Sequence, residues 1–271
     1  MNMKATVLID NIADGSLAAE WGLAVYVEYG DKKILLDTGS TGIFTDNADA
    51  LGIDLADIDY AVLSHAHYDH ADGMEAFFAR NKKAKFYLRD GAKEYCYKNI
   101  WLFKKYIGIK KGTLAKYADR IEYADGDYEL TPGVTLIPHK TDGLERIGKK
   151  AGMCVRKGGR FYPERFEHEQ SLVFDTDKGL VIFNSCSHGG ADNIITEVQR
   201  TYPDKKIYAI IGGFHLFMSS DETVRALAAR IKATGIERVI TGHCTGNRAY
   251  EILREELGEM VTQIHSGLVI E

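Results

Sequence analysis

The segment Ser64-His65-Ala66-His67-Tyr68-Asp69-His70-Ala71-Asp72-Gly73 constrains this chain more than any other. It packs three imidazoles and a carboxylate into positions 65–70, directly after the apolar run Asp57–Ser64. A short continuous run of this kind reads as a strand buried on both faces. On extended backbone His65 and His67 project to the same side. A helix is expected near Gly73–Ala79, and Asp69 and His70 come from the start of that element. A loop rich in histidine by chance is the bland alternative, and the position of all four side chains at the mouth of an apolar strand argues against it. Imidazole and carboxylate suit Zn²⁺, and also Fe or Mn. The pattern offers His65 and His67 to one cation and Asp69 and His70 to a neighbour, giving an expected pair of metals roughly 3.5–4 Å apart.

One such cation takes about four ligands, so others must come from elsewhere. Position sorts the remaining histidines of the nine. His188 follows the expected strand Leu180–Asn184, His215 follows Lys206–Ile211, and His243 follows Arg238–Thr241. In open α/β sheets, ligands gather at the carboxyl ends of strands. His188 and His243 are expected as metal ligands. His215 is left open between a ligand and a residue that orients a ligand or touches substrate. His139, His168 and His265 lack this placement and read as surface or packing residues. Asp37 closes the strand Lys33–Asp37 before Thr38-Gly39, where its carboxylate could accept the free N–H of a metal-bound imidazole; an Asx turn is the simpler alternative. Cys186 and Cys244 flank His188 and His243. They could be thiolates, but are expected as small buried residues beside the site.

The rest of the chain is ordinary globular material. Apolar residues are 45%, charged residues 27%, and the net charge of −5 excludes a general basic footprint for nucleic acid. No run approaches the ~20 apolar residues of a membrane span, and the first residues lack the apolar core of a secretory signal. Four scattered cysteines read as reduced, so a cytoplasmic location is expected. Strands dominate residues 1–70, and strand–helix alternation returns after 170, which implies α/β layering. Residues 80–165 are rich in Lys and in aromatic residues and hold three of the four prolines. They are expected as a loop-rich insertion or lid on a single domain spanning 1–271, with the aromatics as its local core.

His65-Ala66-His67-Tyr68-Asp69-His70, the upstream Asp37-Thr38-Gly39 and the later single histidines resemble the motifs of the metallo-β-lactamase superfamily. NSCSHGGADNI, IGGFHLF and GHCTG look like the branch that holds dihydropterin ribofuranosylaminobenzene-phosphate synthases and metal-dependent hydrolases. The resemblance covers nearly the whole chain, least between 80 and 165. It implies a four-layer αββα sandwich and a metal-bound hydroxide that attacks an electrophile. His65, His67 and His188 would hold one metal, and Asp69, His70 and His243 the other, with Asp69 also orienting the water or moving its proton. Many members carry an aspartate bridging both metals in a TGD-like segment. That segment is absent here, and NSCSH or GGFH fills its place. His67 stands where oxygen-reducing di-iron relatives have glutamate, which favours hydrolysis over redox.

Gly189-Gly190 and Thr245-Gly246 precede expected helices, so their backbone N–H groups are candidates for an anionic substrate group; helix capping is the competing reading. The function expected is that of a metal-dependent hydrolase acting on a small anionic molecule, a phosphodiester or a lactone. The alternatives are a pterin-pathway synthase and a non-catalytic metal binder. The oligomeric state is left open.

Overall fold

Side-chain alternation along Ala24–Tyr29 sets the layering. Ala24 and Tyr26 face one way, and Val25 and Val27 the other, and both sets are buried. The same split recurs in Gln170–Thr176, where Leu172 and Phe174 oppose Val173. A strand buried on both faces needs a layer on each side. The computed structural model, which describes residues 1–271, supplies them as an αββα sandwich.

The first sheet has seven strands, in the order Val269–Ile270, Met3–Ile9, Ala24–Tyr29, Lys32–Leu36, Tyr60–Val62, Lys85–Arg89 and Ile121–Ala124. The second also has seven: Val261–Gln263, Arg238–Thr241, Ile207–Gly212, Gly179–Phe183, Gln170–Thr176, Val134–Pro138 and Tyr128–Thr131. Between them lies a core that includes Val25, Val27, Leu36, Leu172, Phe174, Phe183 and Ile211. Helices Phe44–Ala50 and Met74–Arg80 cover the outer face of the first sheet through Phe44, Ala48, Phe77 and Phe78. Helices Ala191–Thr201, Asp221–Ala233 and Asn247–Leu257 cover the second through Ile194, Val198, Leu227, Ile231 and Ile252. No helix is long and apolar enough to cross a membrane.

The stretch 80–165 departs from the expected loop-rich insertion. Four of its strands complete the two main sheets. Four more, Cys96–Ile100, Phe103–Tyr106, Met153–Lys157 and Arg160–Pro163, form a separate antiparallel sheet. These strands have only four or five residues, several with outward-facing cations, so they are too short to register as periodic runs. Only some of the aromatics pack as a local cluster: Tyr97 meets Tyr106 and Phe161 at 5.1 and 5.2 Å between ring centres, while Trp101 and Phe103 stand exposed to solvent on the Cys96–Ile100 and Phe103–Tyr106 hairpin.

In each main sheet, four neighbouring strands run parallel, so their carboxyl ends share one edge. The two edges are joined where the amide of Gln170 donates to the carbonyls of Leu63 and Tyr87. Gly73 lets the loop after Lys32–Leu36 come close, since a Cβ there would lie 2.0 Å from the Thr38 carbonyl oxygen.

Phe174 is fully buried between the sheets, its ring 5.4 Å from Tyr29 and 5.6 Å from Phe183. Phe174→Ala is expected to cost about 3–5 kcal/mol. Urea unfolding should show this as a lower midpoint with an unchanged slope.

Candidate metal centre

The buried loop at the end of Tyr60–Val62 leaves His65 and His67 extended into the gap between the sheets, and the short helix Tyr68–Ala71 follows. His188 enters from the end of Gly179–Phe183 across the gap. The three rings form a near-equilateral triangle, with centres 4.7, 4.8 and 4.9 Å apart. Each ring has a buried Nε2 with no hydrogen-bond partner. An isolated buried polar atom is costly, and three aimed at one another describe a nitrogen cage for a cation. One ligand atom from each lies within 4.8 Å of those of the other two.

A second group adjoins it. Asp69 Oδ2 lies 3.5 Å from His243 Nε2 and 3.8 Å from His70 Nε2. The His243 Nε2 is also buried without a partner. The structure therefore brings together all six side chains that the sequence singled out as ligands, in two adjacent groups. Their donors, imidazole nitrogen and carboxylate oxygen, fit a Zn²⁺-like ion.

The other ring nitrogen is fixed in most of these imidazoles. His70 Nδ1 is 2.8 Å from Asp37 Oδ2, so Asp37 sits where its expected role requires. Asp37 also accepts the hydroxyls of Ser64 and Ser185, each at 2.6 Å, and the Ser64 backbone N–H at 2.7 Å. With its own proton given to Asp37, the Ser64 hydroxyl accepts from His65 Nδ1 at 2.8 Å. His188 Nδ1 is held by Glu169, and His243 Nδ1 by Asn11 at 3.1 Å. Where the ring is neutral, each contact leaves the Nε2 lone pair facing the cavity.

Electrostatics separate the two groups. Burial, reinforced by the neighbouring imidazoles, pushes His65 and His67 well below the usual histidine range, so both are neutral. Burial opposes ionisation of Asp69, yet His70, His243 and His67 outweigh it and hold the carboxyl well below the ordinary range. His243 moves the other way. Burial lowers it, but Cys244, Asp69 and Asp10 prevail and push it up to about 9.

Backbone strain concentrates here. Of six non-glycine residues with positive φ, five are Asp37, Phe166, Ser187, His215 and His243. Each such residue costs on the order of 1–3 kcal/mol and persists only where its surroundings over-determine it. Packing against Phe217 at 5.2 Å and His188 at 4.7 Å holds the His215 ring at the rim, half-buried.

The glycine-flanked turns correct an expectation. The N–H groups of Gly190, Thr245 and Gly246 are bonded inside their own turns, to the carbonyls of Ser187, Gly242 and His243. The Thr245 hydroxyl is taken by the Phe214 N–H and Thr241. Gly189 is small because a Cβ would meet the His139 ring at 2.5 Å. Short strands that turn at once into helices consume these three N–H groups, so Gly190, Thr245 and Gly246 shape their turns and do not offer an anion cradle.

Several site residues carried no sequence signal. Glu169 lies beside His168 at the start of a buried strand, and its carboxylate also pairs with His139, which in turn contacts Glu197. Burial opposes protonation of His139, but the two glutamates overcome it and push the ring up to about 10. His168 is fully buried; its Nδ1 accepts the Ala66 N–H at 3.1 Å, while its Nε2 is buried without a hydrogen-bond partner, 3.5 Å from Glu164, and ligand atoms of His67, Cys96 and His168 lie within 4.8 Å of one another. His139 is thus a packing residue of a polar kind, whereas His168 stands beside the cluster, which its sequence position did not signal. His265 is half-buried away from the cluster, bonded to the Ser266 carbonyl. Trp21 Nε1 donates to Asp69 Oδ2 at 2.9 Å. Nothing local in sequence connects residues 11 or 21 to position 69 or 243.

Removing the Glu169 charge by Glu169→Gln should weaken metal binding by about 10–100-fold, read by chelator competition, with the circular dichroism spectrum retained. A second expectation concerns protons. His243 is protonated near neutral pH in the metal-free protein, because its pKa stands near 9. Loading this group must expel that proton, so affinity rises with pH until about 9. A dye-monitored titration in weak buffer should record release, and His243→Ala should diminish it.

Comparison with known proteins shows the family and the fold. The profile of the metallo-beta-lactamase superfamily matches residues 22–243. The 7,8-dihydropterin-6-methyl-4-(beta-D-ribofuranosyl)-aminobenzene-5'-phosphate synthase of Methanocaldococcus jannaschii is 28% identical over 100% of this chain and 97% of its own. The crystal structure of Tm1679, described as a metal-dependent hydrolase of the beta-lactamase superfamily, superposes with a TM-score of 0.86 at 29% identity, covering 100% of this chain and 99% of that one. A diphosphatase of the PhnP family, at 14% identity and a TM-score of 0.59, shares the fold. The profile spans most of the chain and includes the strand-end loops that carry the cluster, and so the chain belongs to the metallo-β-lactamase superfamily.

Proposed function

We propose that this protein is a metal-dependent hydrolase acting on a small anionic substrate, a phosphodiester or lactone. The observation that carries the reading is the set of buried, unpartnered Nε2 atoms of His65, His67, His188 and His243 beside the Asp69 carboxylate. His65, His67 and His188 would hold one ion, and Asp69, His70 and His243 a second, with zinc favoured by the nitrogen-rich donors. Such an ion, when bound, acts as a Lewis acid and lowers the pKa of water from 15.7 to about 7.

The chain's own residues supply the rest. Asp69 is ionised and is held by the Trp21 indole N–H, so its carboxylate is placed to accept a hydrogen bond from the attacking water and orient it. Asp37, Ser64 and Glu169 keep the imidazoles in one tautomer throughout. Trp21 and Phe217, each 41% exposed, stand edge to face at the rim, 5.6 Å apart. Lys98 places its ammonium 5.5 Å from the Phe217 ring centre. This aromatic wall with a cation at its edge suits a planar group bearing a negative charge. A cytoplasmic location is part of the proposal, supported by four free, buried cysteines. The absence of a general basic footprint supports a small molecule, and not nucleic acid, as partner.

A pterin-pathway synthase is the second reading. It is favoured by the full-length similarity to the Methanocaldococcus jannaschii enzyme and by the same aromatic wall. Turnover of bis(p-nitrophenyl) phosphate with added Mn²⁺ or Zn²⁺ separates the two. Saturable turnover supports the hydrolase; no turnover together with tight pterin binding supports the synthase. In the first case His67→Ala should lose metal and about 100-fold or more of the rate, the effect of removing several kcal/mol of transition-state stabilisation. Lys98→Glu should raise KM for the anionic substrate and leave a neutral analogue unaffected.

A further inference from the structure

The hairpin of Cys96–Ile100 and Phe103–Tyr106 ends in a tip that neither the core nor the metal centre uses. Trp101 and Leu102 are each 97% exposed, and Phe103 is 62% exposed. Ile100 pairs with Phe103, so Trp101 and Leu102 make a two-residue turn. Trp101 has a φ of 53°. In such a turn the first position with positive φ is where glycine belongs, and a bulky side chain is strained there. Turn chemistry and water both disfavour a Trp-Leu tip, so its cause lies in something it touches outside the chain. The base of the hairpin is fixed beside the metal cluster: the Ile107 carbonyl accepts the Tyr68 N–H at 3.0 Å, and Gly108 bridges to His67. At about 3.4 Å per residue, the tip stands roughly 14 Å beyond that anchor. Lys98 of the same hairpin reaches Phe217 at the rim, next to Met218, which is 80% exposed. Tip and mouth therefore share one side of the molecule.

Charge says what this side meets. Residues 93–111 carry six lysines against one glutamate, in a chain whose net charge is −5. Lys93 and Lys110 pair with Asp90 and Glu75. Lys98, Lys104 and Lys111 lie over the rings of Phe217, Phe161 and Tyr106, which leaves their charge unanswered. Lys105 is exposed on the strand beside them. We propose that this hairpin docks the protein on an anionic lipid surface, with Trp101, Leu102 and Phe103 entering the headgroup boundary and the lysines behind them meeting the lipid charges. An apolar, tryptophan-bearing projection backed by cations is the composition that such an interface attracts. A second copy fits less well, because a two-fold contact of tip with tip would set the same unpaired lysines against one another. A two-residue tip is also far smaller than the roughly 800 Å² per partner of a stable protein interface, whereas entry into a bilayer needs no matching pocket.

This inference goes beyond the metal-dependent reading and does not need it, so its test reads binding and not turnover. The full chain is sedimented with vesicles of phosphatidylcholine and phosphatidylserine in equal parts, and with vesicles of phosphatidylcholine alone. Co-sedimentation is expected with the mixed vesicles, much less with the neutral ones, and it should fall as salt is raised. The double variant Trp101→Gly, Leu102→Ser should weaken binding by about tenfold or more, since two apolar side chains no longer leave water. Its circular dichroism spectrum should be retained, because both side chains are exposed. Lys104→Glu with Lys105→Glu should weaken binding to the mixed vesicles alone. No co-sedimentation at low salt would overturn the proposal, as would binding that the tip variant keeps in full. A wild type that is dimeric by light scattering and ignores vesicles, with a monomeric tip variant, would overturn it in favour of a second copy.

Discussion

A single buried carboxylate joins the parts of this molecule that matter for its chemistry. Asp37 follows a strand of the first sheet and accepts hydrogen bonds from Ser64, just past a neighbouring strand, from His70 in the short helix after it, and from Ser185, just past a strand of the opposite sheet. A fully buried charge is costly unless several donors meet it. Here the donors are the flanks of the metal cluster, so the condition that makes Asp37 tolerable also fixes the register of the two sheet edges. Loss of any one partner would leave a buried charge under-satisfied, which ties the integrity of the centre to the packing of the sandwich.

The contacts behind the other imidazoles repeat this logic. Glu169 holds His188 and is itself answered by His139, which Glu197 meets from the other side. Ser64 passes the Asp37 interaction on to His65. Asn11 fixes His243 by both its amide groups, donating to the backbone carbonyl and accepting from the ring. Positive φ values at Asp37, Ser187, His215 and His243 add local strain that the same contacts must offset. A site organised in this way is rigid before any cation arrives, and rigidity keeps repulsive, half-desolvated groups pointed at one another.

Much of this was legible from local pattern. The strands Ala24–Tyr29 and Arg238–Thr241 and the helices after residue 190 follow from alternation, apolar runs and glycine stops. His65, His67, Asp69 and His70 announce themselves by spacing. His188 and His243 could be found because strand ends gather ligands in α/β sheets. The short strands of the sheet built from residues 96–106 and 153–163 were hidden, since four residues carry too little periodicity to distinguish them from a charged loop. The glycine-rich turns misled for a related reason: a run of free N–H groups in sequence says nothing about which carbonyl each will meet.

The sequence by itself determined the α/β layering and the cluster at positions 65–70, because both depend on periodicities of a few residues that backbone geometry translates directly into direction. Only the tertiary structure decided which distant side chains complete the centre. Asn11, Trp21 and Glu169 come from separate strand ends and loops, and their convergence is set by how two twisted sheets meet edge to edge. That meeting is a long-range packing outcome, and no local stretch of chain encodes the distance between residue 11 and residue 243.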